Sequence, residues 1–106
     1  MALGGGDLGA LLKQAQKMQK DLERVRKELK SRVVEGTAGG DAIRVQANGA
    51  GDVVKVTLSP QVVNPSDVAM LEDLVLVAVN QALKQARELS ERETEKATGG
   101  LKLPGM

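Results

Sequence analysis

Phenylalanine, tyrosine and tryptophan are all missing from this sequence. Aromatic rings usually supply the largest buried areas of a core, so the interior has to be assembled from Leu, Val, Ile, Met and Ala. At 106 residues the chain makes one domain. A domain of that size buries only about 65% of the surface its unfolded chain exposes, and a second copy is a natural way to complete so thin a core. Cysteine is absent too, which excludes disulfides, thiolate-held zinc and thiol catalysis and fits a reducing cytosol. With no histidine either, Ser-His-Asp relays and imidazole-held metals are excluded. No catalytic residue, metal site, cofactor or small-molecule substrate is expected.

Charge of one sign does not dominate: 15 basic residues face 14 acidic ones, so partners have to be read from where the charges lie. Met1 to Gly6 carry neither a basic start nor a long apolar run, so no secretory signal is expected. The longest mainly apolar stretch, Val68 to Val79, is interrupted by Glu72 and Asp73 and is too short and too charged to span a bilayer.

What is present is strongly patterned. Leu8, Leu11, Ala15, Met18, Leu22, Val25 and Leu29 recur at alternating steps of three and four, a heptad seam. This predicts a helix over residues 7–31, capped by Asp7 and roughly 35 Å long, after a flexible lead at 1–6. Val33 and Val34 lead to Gly36 and a Gly39-Gly40-Asp41 turn. Ile43, Val45 and Ala47 alternate with Arg44 and Gln46. After Asn48-Gly49-Ala50-Gly51, residues that tolerate positive φ, Val54, Val56 and Leu58 alternate with Lys55 and Thr57. These segments predict three short antiparallel strands. Beyond Pro60 and Pro65, Ser66 or Asp67 starts a second long helix, with Asp67, Glu72 and Asp73 near its positive end. It is apolar on nearly every side over 68–79 and keeps a narrow stripe at Ala82, Ala86 and Leu89, while Glu88 sits four residues before Arg92. Gly99-Gly100 ends it, leaving a flexible tail at 99–106. The fold class is α+β, in the order α-β-β-β-α: a small three-stranded sheet and two long helices in two layers, as a single domain over 1–106.

Several stretches together resemble a known family. Leu8-Gly9-Ala10-Leu11-Leu12-Lys13-Gln14-Ala15-Gln16-Lys17-Met18-Gln19, Asn48-Gly49, and Met70-Leu71-Glu72-Asp73-Leu74-Val75 with Ala78, Asn80 and Ala82 are similar to segments of the YbaB/EbfC nucleoid-associated proteins. Thr98-Gly99-Gly100 and Pro104-Gly105 fit the same pattern, and the match covers nearly the whole chain. The resemblance implies a bacterial homodimer with tweezer-like helical arms, DNA binding, a cytoplasmic and nucleoid location, and effects on DNA shape and gene expression. The tail is shorter than the Pro-rich end common in the family.

The feature that bears on function is a basic stripe. Lys13, Lys17, Lys20, Arg24 and Lys27 lie on the side of the first helix away from its seam, and Lys30 near its end joins them as an expected contact. Residues 7–32 hold eight basic and four acidic side chains, whereas residues 84–96 hold four of each. Charged helix faces are usually only solvated, but a row of cations at one-turn intervals also suits a duplex that carries one charge per about 1.7 Å of axis. The resemblance decides between these in favour of double-stranded DNA, and these six residues are the expected contacts. Without aromatics there is no ring stacking with single strands, and contacts mostly to phosphate imply weak sequence preference.

Leu11, Ala15, Met18, Leu22 and Val25 of the seam, with Leu71, Leu74, Val75 and Ala78 of the apolar belt, are the expected core and dimer interface. Which helix fills the seam stays open: it packs against the same chain, a second copy, or both. Gly4-Gly5-Gly6-Asp7-Leu8-Gly9 lacks the Gly-Lys-Ser/Thr ending and preceding strand of a phosphate loop. A coiled-coil adaptor gripping a protein partner in replication or recombinational repair is the competing function; it shares every apolar feature and differs only in how the stripe is used. No membrane partner is expected.

Overall fold

The computed structural model describes residues 5–99, with side chains from residue 8 onward. Its element order is α1 (Gly5–Ser31), β1 (Val33–Ala38), β2 (Ile43–Asn48), β3 (Val53–Leu58), a single 3-10 turn at Pro60–Val62, and α2 (Val68–Ala97). This is the predicted α-β-β-β-α order, with one correction at the start. Gly5 and Gly6 already belong to α1, so Asp7 lies within the helix and not at its start. The rest of the expected lead, and the expected tail beyond Gly99, lie outside the described residues.

The sheet has the order β1-β2-β3, antiparallel throughout. Gly39, Gly40 and Asp41, which join β1 to β2, have φ of 63°, 62° and 70°, a left-handed run that two glycines make tolerable. At the β2–β3 hairpin, positive φ occurs at Gly51, at 92°, within the Asn48–Gly51 stretch anticipated for it. A register shift opposite Gln46 and Ala47 leaves Val54 without a partner on β2, so the predicted Val54-Val56-Leu58 alternation breaks at a β-bulge.

Asp67 caps α2, its carboxylate accepting from the Met70 N–H at 3.2 Å. At the other end Gly99, at φ 65°, closes the helix as predicted. α2 lies across β1 and β2, where Ala78, Ala82 and Ala86 are buried against Ile43, Val45 and Ala47. Small side chains let its backbone come very close to the strands. A Cβ at Gly36 would sit 2.3 Å from the Ala78 carbonyl oxygen and 2.4 Å from the Ala82 nitrogen. Gln81 closes the free edge of β1 by accepting from the Thr37 N–H at 2.6 Å.

A second, smaller cluster ties α1 to the body: Val25 and Leu29 pack with Leu89, flanked by Val34 and Ala97. The hairpin helps. Gly49 donates its N–H to the Leu29 and Arg32 carbonyls at 2.8 and 3.0 Å, satisfying groups that a helix C-terminus leaves open. Asn48 is buried, and its Oδ1 accepts from Ala50 and Asp52. The Arg32 guanidinium bridges to Glu93, which Lys96 also approaches at 3.5 Å. Only the C-terminal part of α1 is held in this way. The molecule is elongated, 78 × 21 × 16 Å, and Leu8 and Leu11 near the start of α1 are each 60% exposed.

Candidate nucleic-acid interface

A helix turns about 100° per residue, so the 4-3-4-3 spacing of Lys13, Lys17, Lys20, Arg24 and Lys27 brings them to one side of α1. Lys30 stands off that line, at the last turn, where a cation also complements the helix dipole. All six side chains are exposed. Five of them, Lys13, Lys17, Lys20, Lys27 and Lys30, make no ion pair among the described residues. Arg24 differs: it is held by Asp21 at 3.1 Å and Glu28 at 3.6 Å. Those acids stand three residues before it and four after, the spacings at which helix side chains meet.

The result is a set of unneutralised ammonium groups on a helix whose first half lies away from the core. Lysine on a flexible stem acts as a point charge with three donors. Such a row matches a polyanion with regular charge spacing better than it matches a single small anion.

The apolar residues expected at the interface divide into two kinds. Val25 and Ala78 are buried, and Met18, Leu22, Leu71, Leu74 and Val75 are half-buried. Leu11 and Ala15 are exposed. Part of the seam is therefore filled by α2 of the same chain, and the part toward the N-terminus is not. Nor is the belt of α2 covered all round: Val68, Met70, Leu76 and Val77 are exposed. So is β3 on both faces. Val56, although it pairs with buried Val45, is 47% exposed.

Further along α2, Lys84, Gln85, Glu88 and Arg92 line an open groove with Val34 and Gln81. Glu88 and Arg92 make no ion pair there, contrary to the spacing-based expectation. Arg26 was not singled out; it is exposed, makes no ion pair among the described residues, and is set toward the flank of the seam instead of on the stripe. The docking role of Gly49 was not legible as more than a turn. Among the described residues, no helix is long and apolar enough to cross a membrane.

The chain is 52% identical over 103 residues to a nucleoid-associated protein of Acetivibrio thermocellus, covering 96% of this chain and 91% of that one. It is equally identical to one from Clostridium kluyveri, covering 97% and 90%. The crystal structure of an uncharacterized protein from Helicobacter pylori shares the fold, with a TM-score of 0.73 at 21% identity over 92% of this chain and 99% of that one. The YbaB/EbfC DNA-binding family matches residues 4–101, and the chain belongs to that family.

Proposed function

We propose that this protein is a non-enzymatic, nucleoid-associated homodimer that clamps duplex DNA through the basic faces of α1. The observation that carries the reading is the exposed row Lys13, Lys17, Lys20 and Lys27, without ion pairs among the described residues, on a helix whose first half stands clear of the core. Binding neutralises phosphates and releases their counterions. It therefore depends little on sequence and strongly on salt, and it occurs in the cytoplasm on the nucleoid. Holding the duplex against two rigid helices changes its shape, which links binding to nucleoid organisation and gene expression.

The dimer supplies what one chain lacks. Val56 and Leu58 of β3, with Val68, Leu76 and Val77 of α2, are apolar and exposed in the protomer, and exposed apolar side chains gathered on one face mark an interaction site. The same patch on a second copy is self-complementary under two-fold symmetry. It completes the core that a chain without aromatic residues cannot fill alone.

The test is duplex binding by the charge-reversed variant Lys13→Glu/Lys17→Glu/Lys20→Glu, followed by fluorescence anisotropy on two duplexes of unrelated sequence. Affinity should fall at least tenfold on both while helix content is unchanged. Equal binding by the variant and the natural chain would remove α1 as the contact surface.

A further inference from the structure

The N-terminal half of α1 carries an apolar seam that the protomer leaves open. Leu8 and Leu11 are 60% exposed, Ala15 is exposed, and Met18 is only half-buried. The seam is continuous with Val25 and Leu29, which α2 covers through Leu89 and Ala97. α2 ends at Ala97, so one helix's width of covering stops partway along a surface that continues for about two more heptads. In heptad terms Leu8, Ala15 and Leu22 stand at a, and Leu11, Met18 and Val25 at d.

The flanks of the seam indicate what fits there. In a parallel pair, each g residue meets the e residue five positions on in its partner. Gln14 then meets Gln19, an uncharged amide pair beside the open residue Ala15 and half-buried Met18. The next flank residues, Asp21 and Arg26, border Leu22 and Val25, where α2 covers the seam and Asp21 already holds Arg24. Lys13, Lys20 and Lys27 fall at f and Lys17 at c, on the outside of such a pair. No lysine of the stripe is buried or brought against its counterpart.

We infer that the open seam pairs in parallel with the seam of α1 from a neighbouring dimer, so that the protein joins two duplexes as well as holding one. For the use of the stripe this rests on the clamp reading above; for the pairing it rests on the seam alone. A clamp turns its stripes toward its own duplex. The seam lies on the other side of the same helix and then faces outward, where the arm of another dimer meets it. The two stripes of each seam-paired rod point in opposite directions, one to each duplex.

The experiment has two arms. The chain has no cysteine, so single Cys variants report without background. Under mild oxidation Leu8→Cys and Leu11→Cys each form like-with-like disulfides, because parallel pairing places identical residues together, and the outward Lys13→Cys does not. In the second arm, beads carrying one duplex capture a second, labelled duplex through the protein. The seam variant Leu8→Gln/Leu11→Gln lowers that capture at least fivefold while its affinity for a single free duplex changes less than twofold. Failure of both Cys variants to cross-link, or cross-linking of Leu8→Cys only with Met18→Cys, overturns the parallel pairing. Undiminished capture by the Gln variant overturns the bridging. Cross-linking needs no DNA, so it separates the seam from the clamp: if the natural chain ignores duplex DNA yet the Cys pairs form, the clamp reading fails and the pairing stands.

Discussion

Gly36 of β1 lies directly under Ala82 of α2, with 2.4 Å between the place a Cβ would occupy and the Ala82 backbone nitrogen. No side chain fits there without moving the helix, because the obstacle is main chain. Gly36→Ala should therefore destabilise the protein by about 1–3 kcal/mol or somewhat more, as overpacking does, measured by urea unfolding. Gly9→Ala is the natural comparison: nothing lies within 4 Å of its added Cβ, and removing a mid-helix glycine should stabilise by about 0.5–1 kcal/mol. Equal effects from the two would mean that the close crossing of α2 over β1 does not govern the fold.

The same reasoning applies at the base of α1. A Cβ at Gly49 would lie 2.5 Å from Leu29 Cδ2 and 3.1 Å from the Leu29 carbonyl oxygen. Gly49→Ala should cost about 1–3 kcal/mol and raise amide hydrogen exchange around Val25 to Leu29 more than in β2. Uniform exchange across the protein would contradict a local role in seating the helix.

Acid should loosen the same joint. The Arg32 guanidinium, donating to the Glu93 carboxylate, holds its pKa below the ordinary value of 4.5, with Lys96 acting in the same sense against the opposing effect of burial. A carboxyl with a depressed folded pKa adds stability above its unfolded value and loses it as pH falls through the folded one. Unfolding measured downward from pH 5 should show a loss in the natural chain that is smaller in Glu93→Gln. Parallel pH curves for the two would show that the bridge adds nothing.

The uncovered apolar surfaces make a prediction about size. Val56 and Leu76 are exposed in the protomer, so Val56→Lys/Leu76→Lys leaves the fold intact. Light scattering should give one chain's mass for this variant and at least two for the natural chain. A variant that keeps the natural mass, with unchanged circular dichroism, would place the dimer contact elsewhere.

Much of this molecule was legible in its sequence because its elements obey simple periods. The 3-4 spacing from Leu8 to Leu29, the alternation at Ile43, Val45 and Ala47, and a helix start at Ser66 or Asp67 each follow from local geometry, and each is seen, with Asp67 as the cap. What was hidden depended on contacts distant in sequence. Gly49 reads as turn chemistry, yet it serves Leu29 and Arg32, which only the folded chain brings near. The bulge at Val54 follows from pairing register, which alternation alone does not set. The stripe was legible as a pattern of charge. The pairing of Arg24 with Asp21 and Glu28 went unread, and Arg24 was counted among the expected contacts although both partners lie within about one turn of it.

The central claim is that the free lysines of α1 meet phosphate. Its most direct test is the salt dependence of duplex binding by Lys13→Gln, Lys17→Gln and Lys20→Gln, singly and combined. The slope of log K against log salt should flatten by about 0.9 for each contact removed, so that the triple variant loses about 2.7. A triple variant with the slope and affinity of the natural chain would contradict it.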